Sequence, residues 1–380
     1  MENFTAYNPT SLHFGRNVLS QLGATVGRFG KKVLLVYGKQ SIKSSGLYDT
    51  IRQQLNQAGA EVYEYSGIRS NPVVEDVDAA AAVGREHSVD VILAVGGGSV
   101  IDSAKIISIA IPVEAPAWGF FERRMIPRTA VPLIAVLTLA ATGTEMNQFA
   151  VLTNHKTENK SGYGSPLIYP KHSFLDPQLT TTVPAGYTAY GIADLIAHSL
   201  EAYFGKGEDA SLTDRFIFAI IREAVEYGPA LMKDLTDYKL RAKIMFAATM
   251  ALNGMTMYGR TSGDWGVHSI GHILSFLYDV PHGASLTIVY PAWMELQREN
   301  LGHRISLLGE SVFGTPDVDT TISRFRDFFS SIGCPVRLSE AVTGTIDYNE
   351  ILRIMIQNKA ATFVHKLSHD DYQRIIELIK

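Results

Sequence analysis

A chain of 380 residues exceeds what one compact core usually organises, so two domains are expected. Apolar residues at 46% and charged residues at 19% suit an ordinary globular protein, and a net charge of −4 offers no general attraction to nucleic acid or an anionic membrane. The single cysteine, Cys334, excludes an intrachain disulfide. The opening "MENFTAYNPTSLHFG" has no charged-then-apolar signal pattern, and no apolar run reaches the ~18 residues of a bilayer span. A cytoplasmic protein is therefore expected, and the one short basic cluster, Arg123, Arg124 and Arg128, reads as a solvated loop.

Along the first half, two periods alternate. "KKVLLVYG" (31–38) reads as a strand, "GLYDTIRQQLNQAGA" (46–60) as an amphipathic helix and "EVYEYSG" (61–67) as a strand. "VEDVDAAAAVGREHS" is a helix, "VDVILAVGGGS" a buried strand running into glycines, "VIDSAKIISIAI" a helix and "VPLIAVLT" (131–138) another strand. This alternation predicts a parallel sheet covered by helices on both faces. After "FLDPQLTTTVPAGY" the segments become long and helix-periodic: "TDRFIFAIIREAVEYGPALM", "YKLRAKIMFAATMALNGM", "WGVHSIGHILSFLY" and "SLTIVYPAWMELQREN", the last carrying a β-rich run. A boundary near Pro184 thus separates an α/β domain, residues 1–184, from an all-helical domain, residues 185–380. "KLSHDDYQRIIELIK" closes the chain as a helix with Ser368 as N-cap.

Between strand and helix, "AVGGGSVIDSAK" (94–105) places Gly96, Gly97, Gly98 and Ser99. Glycines let a backbone approach a ligand closely, and the free N–H groups of a helix's first turn favour a phosphate. Three in a row exceed the needs of a tight turn. No Gly-Lys-Ser/Thr closes the loop, so it is not a Walker loop. The usual dinucleotide fingerprint follows the first strand, which here ends in "YGKQS". Gly38 offers no carboxylate to a ribose 2′-hydroxyl, whereas Lys39 could pair with a 2′-phosphate and Ser41 could hydrogen-bond to it.

Histidines are unevenly spread. In "YGIADLIAHSLEAYF" (190–204), Asp194 and His198 stand one helical turn apart among apolar residues. Burying either without a partner is costly, so they either bond to each other or form half of a metal site. "GVHSIGHILS" repeats the spacing with His268 and His272, and "DVPHGASLT" adds His282 before another helix. One carboxylate and several imidazoles from three segments suit a divalent first-row ion such as Zn²⁺ or Fe²⁺; a Mg²⁺ site would want more oxygens. Glu201, one turn beyond His198, is a candidate partner for a ligand. His87, His155, His172, His303, His365 and His369 have no such context.

"GGGSVIDSAK", "TLAATGTEMN", "FLDP", "GIADLIAHSLEAY" and "GHILS…VPHGASLTIVYPAW" together resemble the iron-containing, or group III, alcohol dehydrogenases, in particular the NADPH-dependent butanol dehydrogenase and aldehyde reductase branch. The resemblance runs over nearly the whole chain in order. It implies an N-terminal dinucleotide-binding α/β domain and an all-helical C-terminal domain, an architecture shared with dehydroquinate synthase, with the active site in the cleft between them. It implies one Asp and three His around a metal, here Asp194, His198, His268 and His282, with His272 near the nicotinamide instead. It also places Gly97, Gly98 and Ser99 on the pyrophosphate, Asp102 towards the nicotinamide carboxamide and Asn71 near the adenosine. Thr138, Leu139, Thr142 and Asn147 would line the cleft, and Lys160 would reach the ribose. "YGKQS" departs from the branch's usual glycine run at Lys39 and Gln40.

The chemistry implied is reversible hydride transfer between NADP(H), in preference to NAD(H), and a short- to medium-chain aldehyde or alcohol, with the cation as Lewis acid. His272 is the candidate for the proton relay. Trp265 and Phe149 are candidates for an apolar substrate wall, and the resemblance implies a homodimer. Two alternatives stay open: a glycerol-dehydrogenase-like polyol oxidoreductase, and a nucleotide- and metal-binding protein without turnover. A synthase acting on a polyanion is disfavoured, because segments 190–204 and 262–284 contain no Lys or Arg.

Overall fold

The computed structural model describes residues 1–207, 209–360 and 362–380, which form two compact units. One comprises Asn8–Val183 and Thr236–Met245. The other comprises Met1–Tyr7, Pro184–Leu235 and Phe246–Lys380. A boundary drawn by chain order therefore misplaces two short segments. Residues 1–7 join the second unit because Glu2 N–H donates to the Gly259 carbonyl (3.0 Å) and Phe4 stacks on Tyr258 at 5.0 Å. Residues 236–245 join the first because Met245 enters its core, Arg16 lies 3.8 Å over the Tyr238 ring, and the buried Arg241 donates to Val183 O (3.3 Å).

The first unit is a three-layer α/β sandwich. Its eight strands are β1 (Ser11–Phe14), β2 (Lys32–Tyr37), β3 (Glu61–Tyr65), β4 (Val91–Gly96), β5 (Leu133–Leu137), β6 (Phe149–Asn154), β7 (Asn159–Gly164) and β8 (His172–Leu175). Six form one parallel sheet in the order β1-β8-β5-β4-β2-β3, while β6 and β7 pair as an antiparallel hairpin. Because side chains alternate across a strand, Leu34, Val36, Ile92 and Ala94 join one core layer with Val77, Ile101 and Ile107. Val33, Leu35, Leu93 and Val95 join the opposite layer with Leu47, Ile51 and Leu55. Sequence reading found β2 to β5; it missed β1 and β8, which are four residues long, and the β6–β7 hairpin, whose middle reads as polar loop.

In the sheet order the chain moves outward from β2 to β3, then returns to place β4 on the other side of β2. The reversal puts three turns at the carboxyl ends of adjacent parallel strands: 38–41 after β2, 97–99 after β4 and 138–142 after β5. That is where open α/β sheets leave a crevice for ligands.

The second unit is helical. The Ala185–Tyr203 helix packs on the Ser211–Lys233 and His282–Leu296 helices, and the latter packs on Gly266–Tyr278. The β-rich "SLTIVYP" is helical despite Pro291, because the segment is buried on nearly every side within the bundle. Ser368 caps the terminal helix in a capping box with Asp371. Among the described residues, no helix is long and apolar enough to cross a membrane.

Candidate functional site

Two glycines bring the histidine-bearing helices together. A Cβ on Gly283 would lie 2.2 Å from the Tyr190 carbonyl oxygen, so only glycine lets the 282–296 helix approach the 185–203 helix this closely. A Cβ on Gly271 would lie 2.7 Å from Ser285 Oγ, where the 266–278 helix meets the 282–296 helix. Four side chains are thereby drawn to one point. Asp194 Oδ1 lies 3.4 Å from His198 Nδ1, 3.8 Å from His268 Nε2 and 3.6 Å from His282 Nε2.

Asp194, His268 and His282 each offer a ligand atom within 4.8 Å of the others; His198 stands against Asp194 but outside that mutual set. His272, half-buried on the same helix, has its ring centroid 5.3 Å from that of His282 and 6.4 Å from that of His268.

Asp194 Oδ1, His198 Nδ1 and His268 Nε2 are all buried and make no hydrogen bond among the described residues. Each such atom costs about 1–3 kcal/mol if left unsatisfied. Ligands about 2.1 Å from a tetrahedral ion lie about 3.4 Å apart, close to the observed spacings. The donors are nitrogen and oxygen without sulfur, a set that fits Zn²⁺ or Fe²⁺.

Glu201 organises this centre. Buried on the 185–203 helix, it accepts from the backbone N–H of Trp265 (2.6 Å) and of His268 (3.0 Å), and so caps the 266–278 helix from outside. Its Oε1 also lies 2.9 Å from His268 Nδ1. A carboxylate only accepts, so Nδ1 carries a proton, and Nε2 is the ring nitrogen directed towards Asp194, holding a proton or, once that proton leaves, offering a lone pair to a cation.

Burial pulls the His268 imidazole down, but the carboxylates of Asp194 and Glu201 outweigh it and lift its pKa to about 9. A proton is thus favoured where a cation would sit. Burial, reinforced by His268 and only partly opposed by Asp194, lowers His198 to about 4, leaving it neutral.

Sequence reading missed Asp264, fully buried in "GDWGVH". Its carboxylate accepts from the N–H groups of Val364 (3.1 Å), His365 (2.7 Å) and Gly266 (3.3 Å), tying the segment after residue 362 to the start of the 266–278 helix. Burial, then the Glu201 charge, raises it to about 6. Trp265, between them, takes a left-handed φ of 63°, rare for a bulky side chain. It is half-buried with its ring 5.4 Å from that of His268, while Phe149, in the other unit, is 45% exposed.

In the α/β unit, Gly97 is the N-cap of the Gly98–Ala110 helix and no side chain caps it. None of Gly96, Gly97 and Gly98 has a positive φ. Space is what favours glycine: a Cβ on Gly96 would meet Val100 at 2.5 Å and one on Gly98 would meet Thr142 at 2.8 Å, while one on Gly97 would press on Leu139 at 3.2 Å.

Around this turn the candidate cofactor residues form a connected set. Ser99 Oγ donates to the Ser70 carbonyl, and Lys160 Nζ donates to Asn71 Oδ1 (2.9 Å). Thr138 N–H donates to Gly96 O (3.0 Å). Gly38 packs towards Ile68 and Val100, with Lys39 and Ser41 exposed beside it. Asp102 and Asn147 are instead engaged within the protein: Asp102 accepts from Thr144 Oγ1 (2.5 Å) and Val151 N (2.8 Å), and Asn147 accepts from Lys105 and donates to Gly143 O (3.0 Å).

Comparison with known proteins agrees along the whole length. Residues 9–177 match the family model for iron-containing alcohol dehydrogenase, and residues 188–379 match the model for the C-terminal part of the Fe-containing alcohol dehydrogenase family. The chain is 42% identical over 348 residues to the probable NADH-dependent butanol dehydrogenase 1 of Bacillus subtilis, covering 90% of each chain. It is 35% identical over 350 residues to the NADPH-dependent aldehyde reductase YqhD of Escherichia coli, covering 90% of this chain and 89% of the relative. The crystal structure of NADH-dependent butanol dehydrogenase A from Thermotoga maritima superposes with a TM-score of 0.95 at 36% identity, over 100% of this chain and 99% of that one. With both halves matched in order and the acid and imidazoles gathered at one point, this chain belongs to the iron-containing alcohol dehydrogenase family.

Proposed function

We propose that this protein is a metal-dependent alcohol dehydrogenase and aldehyde reductase, moving hydride reversibly between NADP(H) and short- to medium-chain aldehydes and alcohols. Asp194, His198, His268 and His282 would hold one divalent ion, Fe²⁺ or Zn²⁺. The observation that carries the reading is the convergence of Asp194 Oδ1, His198 Nδ1 and His268 Nε2, buried and without hydrogen bonds. When bound, the ion supplies Lewis acidity at a carbonyl oxygen and the nicotinamide supplies the hydride.

The protein's own residues do the rest. Glu201 keeps the lone pair of His268 aimed at the centre. Uncapped N–H groups at Gly98 and Ser99 bind the pyrophosphate, and Lys160, held by Asn71, reaches the ribose. His272, one turn from His268, delivers or accepts the proton of the substrate hydroxyl. Trp265 shapes an apolar wall for the alkyl chain.

For the cofactor, relatives include both NADH- and NADPH-dependent enzymes. A preference for NADP(H) is supported by exposed Lys39 and Ser41 and by the lack of a carboxylate at Gly38. The acid on the neighbouring strand, Glu64, is already engaged by Tyr37 (2.8 Å), Tyr48 (2.7 Å) and Arg52 (3.3 Å). On this reading the enzyme works as a cytoplasmic homodimer. The deciding experiment strips the metal, reloads Fe²⁺ or Zn²⁺, and follows NADPH and NADH oxidation over aldehydes of increasing chain length. Metal-dependent NADPH oxidation is expected; a full rate without metal overturns the reading, and a rate with NADH alone overturns the cofactor preference.

A further inference from the structure

Lys105 is the one charged side chain of the 98–110 helix that is completely buried, at 0% exposure. Its three ammonium protons have three acceptors: Thr144 Oγ1 at 2.7 Å, Asn147 Oδ1 at 2.9 Å and Phe149 O at 2.7 Å. An ammonium only donates, so the Thr144 hydroxyl must accept from Lys105, and its own proton goes to Asp102 Oδ1 at 2.5 Å. The other Asp102 oxygen accepts from Val151 N–H at 2.8 Å. Asp102 is thereby held as an acceptor in a fixed orientation, three residues before Lys105 on the same helix.

The same contacts pin residues 143–149. Asn147 also accepts from Phe149 N–H (2.9 Å), and this segment follows Thr142, which fills the space beside Gly98. An apolar side chain of similar volume could fill the position without the desolvation cost of a buried cation. Burial draws the lysine down to about 7 against the opposing charges of Asp102 and Glu145. A group this costly, whose every proton is directed, suggests a task beyond filling space.

We propose that Lys105 is a positioning residue for the nicotinamide end of the cofactor: acting through Thr144 it orients Asp102, and through Asn147 it seats the 142–149 segment against the glycine turn. The inference rests on the proposed function and on the role towards the nicotinamide carboxamide that the family resemblance implies for Asp102.

The test uses the full-length, metal-loaded enzyme and three variants, T144V, T144S and K105M. Thr144→Val is nearly isosteric, which keeps the test sound if Lys105→Met fails to fold. Equilibrium affinities are measured by titration calorimetry for NADPH and for 2′-phospho-ADP-ribose, which lacks the nicotinamide. T144V is expected to weaken NADPH binding about tenfold, the scale of a lost charge-assisted hydrogen bond, while binding the nicotinamide-free fragment like wild type. T144S restores the hydroxyl and returns NADPH affinity to near wild type. Unchanged NADPH affinity in T144V with only a lower melting temperature would assign Lys105 a purely structural role. Equal weakening of both ligands would likewise overturn a role at the nicotinamide end. Wild type binding neither ligand would overturn the cofactor reading itself, and this inference with it.

Discussion

The candidate metal centre of the helical unit and the glycine turn of the α/β unit solve the burial of polar groups in opposite ways. At the first, Asp194, His198 and His268 are buried with ligand atoms left without hydrogen bonds. At the second, Lys105, Asp102, Thr144 and Asn147 bond to one another, and what faces outward from the helix start is backbone N–H. Unpaired side-chain atoms select a ligand that brings its own charge. A closed network with a free helix N-terminus selects an anion that needs only donors. Side chains in one unit and backbone in the other thus suit a cation and a phosphate.

The contrast breaks most severely at Asp194. D194A removes the only carboxylate among the four proposed ligands, so bound metal should fall to background by elemental analysis and kcat/KM by about a thousandfold or more. NADPH affinity, which the proposed reading assigns to the other unit, should stay near wild type by titration; a variant retaining metal and turnover would refute the centre. A smaller effect is expected from E201Q. Replacing one Oε with an amide cannot preserve acceptance from Trp265 N–H, His268 N–H and His268 Nδ1 together, so metal affinity should drop about 10- to 100-fold in a competition titration. An unchanged affinity would mean that Glu201 serves only as a helix cap.

The smallest effect concerns a histidine pair far from the glycine turn's chemistry. His13 Nε2 and His172 Nδ1 lie 3.0 Å apart across β1 and β8. Both are lowered, His13 by burial and then Arg28, His172 by burial and then His13 and Arg28. A depressed imidazole keeps its stabilisation above the unfolded value near 6.5 and loses it as pH falls through the lower folded value. Melting temperature should therefore decline below about pH 6.5, and H13N should flatten that decline by a few degrees. A wild-type curve identical to that of H13N would remove the pair from the acid response.

Much of this could be read along the chain. The four-residue spacings of Asp194 with His198 and of His268 with His272 announced a helical cluster, and Glu201 followed one turn later. Lys105 was invisible because its partners lie 39 to 44 residues away, and nothing local marks a helical lysine as buried. His172, which has no context along the chain, finds His13 159 residues distant. The capping role of Glu201 towards another helix, and the four N–H groups that Asp264 collects through its carboxylate and carbonyl, depend equally on packing.

What the residue order alone determined is local: alternating apolar strands, helix-periodic segments, glycines after a buried strand, and acid–imidazole pairs one turn apart. These depend on backbone geometry over a few residues, which composition and periodicity encode directly. Tertiary structure decided which of the imidazoles share the Asp194 carboxylate, and that Gly271 and Gly283 are small so the helices carrying them can close up. It also decided that a lysine of the glycine-rich motif faces inward. Each of these is a contact between distant segments, settled by the packing of whole elements and the need to satisfy every buried charge.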